Sequence, residues 1–170
     1  MHSPSRNFWS ASNTACSRKV IVWRFSQHDS LDGREGLLAS ARWHTRGREI
    51  LYCAPSPATA VLEILVHGQV RESTALAHHR FIKVDIPDEV SRQSVDEAQL
   101  PTDWSRRITT TRAWGDRWLR EGDTALLTVR SVLVPETYNV IINPRHAEAA
   151  RIRRVVVMPY PLDSRLFVRD

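Results

Sequence analysis

The alternation of apolar and polar positions predicts an α+β chain. Residues 20–25, Val-Ile-Val-Trp-Arg-Phe, are rich in β-branched and aromatic side chains and read as a strand with an arginine inside it. Residues 29–49 scatter Gly33, Gly36 and Gly47 among charged residues, which predicts a long loop with a turn of helix near Leu37 and Leu38. A second short strand over 50–53 is stopped by Pro55. Ser56 followed by Pro57 is a helix start, and a helix over 57–67 carries Ala58, Val61, Leu62 and Leu65 at the spacing of a packed face. Ile64 and Val66 widen that face, and Gly68 closes the helix. Residues 80–86 alternate as a strand, 87–111 are polar and irregular, and 110–121 form a helix with Trp114, Trp118 and Leu119 on one side and Gly115 as a weak point. The last third gives β-rich segments at 125–134, 138–143 and 151–158, joined by links short enough for neighbouring strands. The expected architecture is a mixed central sheet with flanking helices.

At 170 residues, the chain is the length of one domain. Residues 1–18, with five serines and no acid, read as a flexible N-terminal tail, leaving 19–170 as a single domain. No apolar run is long enough to span a membrane and no export signal is visible, so the expected location is the cytoplasm. Cys16 and Cys53 cannot make a disulfide framework. Of 24 basic residues 22 are arginine, and the net charge is +5. Arginine's planar fork suits phosphate and carboxylate, so an anionic ligand is expected; the same balance fits a solvated surface or a nucleic-acid binder.

The familiar catalytic signatures are missing. There is no G-x-G-x-x-G, no P-loop, no H-E-x-x-H and no G-x-S-x-G. His78 and His79, read on opposite sides of a strand, argue against a metal site. What remains is Glu63, a carboxylate among apolar neighbours on the 57–67 helix. It is either desolvated, and then in need of a cation or hydrogen bonds, or on the narrow exposed stripe of that helix. His67 lies one turn on and can face it. Arg24 and Arg42 are the candidate cationic partners, or else surface residues with stems laid across apolar neighbours. Tyr52 offers an aromatic face to a planar ring, or is core. Ser131, Asn139 and Asn143, near strand ends, either aim hydrogen bonds at a ligand or cap turns.

In order along the chain stand Trp23-Arg24, Arg42-Trp43, the run L-Y-C-A-P-S-P-A-T-A-V-L-E-I-L-V-H ending at His67, and R-S-V-L-V-P-E-T-Y-N-V-I-I-N-P-R-H ending at His146. Over roughly residues 20–158 this order resembles the RES-domain family, toxins of bacterial toxin–antitoxin pairs. Members usually read Gly-Gly-Arg-Trp-Asn where this chain has Ser40-Ala41-Arg42-Trp43-His44, which bears on the loop's geometry. The resemblance implies a fold similar to ADP-ribosyltransferases. It also implies cleavage of the nicotinamide–ribose bond of NAD, as a glycohydrolase or phosphorylase, or else transfer of ADP-ribose to a protein. NAD is then a substrate, and no resident cofactor is expected. Glu63 is implied for the ribose and its developing charge, Arg24 and Arg42 for the pyrophosphate or its neighbourhood, Tyr52 for stacking, Ser131 for orienting the substrate, and Asn139 and Asn143 for the site wall, with His67 counted among the substrate-binding residues. The implied partner is a helix-turn-helix antitoxin, in a complex that leaves room for a homo-oligomer. The rival readings are a nucleic-acid-binding module, with tryptophans such as Trp9, Trp104 or Trp114 stacking on bases, and an interaction protein without chemistry.

Overall fold

The computed structural model describes residues 19–67, 73–159 and 162–167; the segment 1–18 with Trp9 and Cys16, and Gly68, lie outside them. Along the chain run β1 (Lys19–Ser26), α1 (Glu35–Leu38), β2 (Leu51–Cys53), α2 (Pro57–His67), β3 (Arg80–Pro87), β4 (Arg92–Ser94), α3 (Ile108–Glu121), β5 (Leu126–Arg130), β6 (Tyr138–Ile142) and β7 (Arg153–Pro159). The class is α+β, as the pattern predicts. Its β structure is divided between an antiparallel sheet in the order β1–β3–β7 and a mixed sheet in the order β2–β6–β5–β4, with β4 parallel to β5. The sheets are stitched where Trp23 and Ala54 exchange backbone hydrogen bonds, each 2.8 Å long.

Alternation along β1 explains how one strand serves two cores. Val22 packs with Ile82, Val84 and Ile142, whereas Phe25, with the partly buried Trp23, packs under α2 against Ala60, Val61 and Phe81. A third cluster holds Trp43, Trp104 and Trp118 with Leu127, Val129 and Ile141 of β5 and β6, so these tryptophans are core. Ser56 starts α2 by a reciprocal cap: its hydroxyl accepts from the Thr59 N–H, and the Thr59 hydroxyl accepts from the Ser56 N–H. α3 ends at Gly122, whose left-handed φ of 66° lets its N–H reach the Trp118 carbonyl.

Five details differ from the sequence pattern. The packed face of α2 is Ala60, Val61, Ile64 and Leu65, with Ala58, Leu62 and Val66 exposed, because the stripe Ala60, Glu63, Ile64, His67 is turned toward a cavity. The 125–134 segment stops being a strand at Ser131, whose hydroxyl accepts from the N–H groups of Leu133 and Val134 and turns the chain before Pro135. Residues 151–158 do not neighbour β6; β7 joins β3 in the other sheet, and Arg151 ends a preceding 3₁₀ turn. β4 lies in the stretch read as irregular, too short and polar to show a period. His78 and His79 sit before β3, not on it.

Candidate functional site

A cavity of about 490 Å³ opens at the seam between the sheets. β1 contributes Trp23, Arg24 and Phe25, β2 contributes Tyr52 and Cys53, and α2 contributes Glu63, Ile64 and His67; the ends of β5 and β6 bring Arg130, Ser131 and Asn139. The loop after α1 supplies residues 39–44, and α3 supplies Ile108 and Arg112.

Glu63 is held by three donors. The Ser131 hydroxyl (2.9 Å) and the Asn139 amide (2.6 Å) both donate to Oε1, and His67 Nε2 lies 2.8 Å from Oε2. Burial pushes the carboxyl up, but the hydrogen bonds from His67, Asn139 and Ser131 outweigh it and leave Glu63 below its ordinary value of 4.5. Its side chain is 21% exposed, so it faces the cavity as a carboxylate and not bulk water. Among the described residues, the Asn139 side-chain oxygen is buried without a hydrogen-bond partner.

The 39–48 loop is fixed by one face of α3. The Thr111 hydroxyl donates to the Arg42 carbonyl at 2.7 Å, Arg112 Nε donates to the Ala41 carbonyl at 2.8 Å, and Asp116 accepts from the Thr45 N–H and pairs with Arg48. Gly115 permits the approach: a Cβ there would lie 1.9 Å from the Trp43 carbonyl oxygen. Neither Ser40 nor Ala41 has a positive φ, so this loop needs no glycine at either position, and the Ser40 hydroxyl accepts from the Arg46 N–H at 2.8 Å. Arg42 donates to the Ser105 carbonyl at 2.9 Å, while its Nε is buried without a partner among the described residues. Burial pushes the Arg42 guanidinium down, Glu63 pulls it up and Arg112 pushes it down again, the balance falling below its ordinary value.

Behind the loop, His44 Nε2 lies 2.9 Å from the Ala39 carbonyl and Nδ1 lies 2.9 Å from the Tyr52 hydroxyl. A carbonyl only accepts, so Nε2 carries the proton and Nδ1 accepts from Tyr52, whose oxygen accepts the Trp43 N–H at 3.2 Å. Burial pushes the imidazole down against the pull of backbone hydrogen bonds to Ala39 and Gly36, and it pushes the Tyr52 phenol up.

The structure therefore brings Arg24, Arg42, Tyr52, Glu63, His67, Ser131 and Asn139 to one cavity. Asn143 is not among them: it is buried in the turn after β6, its side-chain oxygen accepting from the Arg145 N–H and its own N–H donating to the Ala125 carbonyl. Arg24 lines the cavity but is ion-paired with Glu35 at 2.8 Å, an acid that sequence reasoning passed over, as it did Arg112. Both stood in charged stretches that look like solvated surface. Among the described residues no cluster of three or more His, Cys, Asp or Glu could hold a metal, and no helix is long and apolar enough to cross a membrane.

Comparison with known proteins adds the following. The RES domain family model matches residues 21–163. A Pseudomonas putida protein named Toxin Res is 38% identical over 151 residues, 87% of this chain and 100% of that one. A Sphingobium protein named Prs ADP-ribosylating toxin is 34% identical over 148 residues, 84% of this chain and 90% of its own length. The M. tuberculosis MbcT–MbcA toxin–antitoxin complex contains a chain that superposes with a TM-score of 0.65 at 14% identity, covering 89% of this chain and 88% of that one.

Proposed function

The chain belongs to the RES-domain family, and from that premise we propose that it is the toxin of a toxin–antitoxin pair and cleaves the nicotinamide–ribose bond of NAD. The observation that carries the reading is the ionised Glu63, fixed by three donors at a cavity that also holds arginines. Nicotinamide leaves as a neutral molecule from a cationic ring, so the C–N bond breaks with its electron pair going to the pyridine nitrogen and little acid help is needed. The demand falls on the ribose, which acquires positive charge, and a fixed carboxylate answers it without reorganising. Ser131 and Asn139 hold Oε1; Oε2 has only the half-exposed His67 among the described residues and is the edge open to a ribose hydroxyl. Water or phosphate then bonds to the ribose carbon, and the proton it loses passes to solvent. A cognate antitoxin of the helix-turn-helix type restrains the activity.

The test is release of free nicotinamide from NAD by the purified chain, with and without phosphate. Glu63→Gln should keep the fold and lower turnover by about 10²-fold or more. Unchanged turnover removes Glu63 from the mechanism, and no release from the unaltered chain rejects the activity. A second reading, transfer of ADP-ribose to a protein, is favoured by the name of the Sphingobium relative. ADP-ribose labelled in its adenine separates the two, ending either on protein or free in solution.

A further inference from the structure

Among the described residues, four arginines line the cavity, and their counter-charges divide them. Arg24 is paired with Glu35 at 2.8 Å, and Arg130 with Glu136 at 2.9 Å and Glu97 at 3.5 Å. Arg42 and Arg112 have no carboxylate within ion-pair distance among the described residues. Each is anchored by a neutral backbone carbonyl, Arg42 on Ser105 and Arg112 on Ala41, which fixes the guanidinium without cancelling its charge.

The two are also built as a unit. Thr111 and Arg112, consecutive on α3, grip the carbonyls of Arg42 and Ala41, consecutive in the loop. Like charges held together in a partly buried place destabilise the empty protein, and an anion between them relieves the cost. Arg42 Nε, buried and without an acceptor among the described residues, is a donor left over for such an anion. Glu63 pulls on Arg42 but does not fill the role: among the described residues it makes no ion pair with either arginine, and its oxygens face Ser131, Asn139 and His67.

The family resemblance already implies Arg42 for a pyrophosphate; we propose that Arg112 of α3 joins it in a two-guanidinium site for the diphosphate of a nucleotide, and that Arg24, paired with Glu35, is not the main phosphate contact. Planar guanidinium forks match phosphate oxygens in two-point fashion. The choice of a nucleotide diphosphate rests on the cavity being an NAD site; the existence of the anion site does not rest on turnover.

The experiment compares binding of ADP and adenosine by titration calorimetry to the full chain. The unaltered chain should bind ADP more tightly than adenosine. Arg112→Gln and, independently, Arg112→Met should weaken ADP at least about tenfold and leave adenosine within about twofold. Arg130→Gln should cost ADP less than either. On the unaltered chain, ADP but not adenosine should protect Arg42 and Arg112 from phenylglyoxal, mapped by mass spectrometry. Equal losses for ADP and adenosine, an indifferent Arg112, or no protection would overturn the site. Nicotinamide release together with an indifferent Arg112 removes the site and leaves the activity. ADP bound as described, by a chain that releases no nicotinamide, removes the activity and leaves the site.

Discussion

The His44 imidazole serves two oxygens at once, and it does so only while neutral. Protonated, it would present a second N–H to the Tyr52 oxygen, which already accepts from Trp43, and the Tyr52 proton would lose its acceptor. Burial holds both His44 and His79 below the ordinary 6.5, so the unfolded chain takes up protons first as pH falls. Stability from these groups is present above about pH 6.5 and is lost as pH falls from there through their folded values. Scanning calorimetry should therefore show the unfolding midpoint dropping between pH 7.5 and 5.5, and His44→Asn should flatten the slope to the part His79 supplies. The residues found in sequence were those with an anomaly, an acid or arginine among apolar neighbours, as at Glu63 and Arg24. Arg112 carries no such mark: a charged residue on a polar helix face reads the same whether it meets solvent or a cavity. Asn143 misled for the converse reason, since an asparagine beside a strand end looks alike whether it faces a ligand or caps a turn.

At the level of elements, α3 is legible from its tryptophans, yet its relation to the 39–48 loop is not, because the glycine that permits it reads only as a poor helix former. Gly115→Ala tests the contact. On propensity alone the change would stabilise α3 by about 1 kcal/mol; with Trp43 backbone in the way, the helix must shift, and we expect a net loss of about 1–3 kcal/mol, read by denaturant titration. The variant should also loosen the Arg42 backbone. β1, α2 and β3 are long and periodic enough to read with bounds near those observed. β4 is three polar residues, invisible until β5 supplies its partner, and the strand expected over 125–134 overshoots because a serine hydroxyl, not a hydrophobic break, ends it.

For the molecule as a whole, the class and the order of elements are legible and the division into two sheets is not, since pairing partners far apart in the chain leave no local trace. β7 goes to β3, not to the β6 that precedes it, and the cavity lies at the seam where β1 and the residue after β2, from different sheets, meet at Trp23 and Ala54. Many surface arginines, among them Arg107, Arg154 and Arg165, are matched with carboxylates, which spreads the basic surplus over the exterior. One residue beside that seam has a practical consequence. The Cys53 thiol is buried, and burial pushes its pKa up to about 12, so at neutral pH almost none of it is the reactive thiolate. In a chain carrying Cys16→Ser it is the sole thiol. Alkylation by a maleimide should then be far slower than for a free cysteine, quicken in mild urea and slow again with ADP bound; a rate matching free cysteine would contradict the burial. Each modified molecule would mark one opening of the joint, making this side chain an internal clock of how often the two halves part.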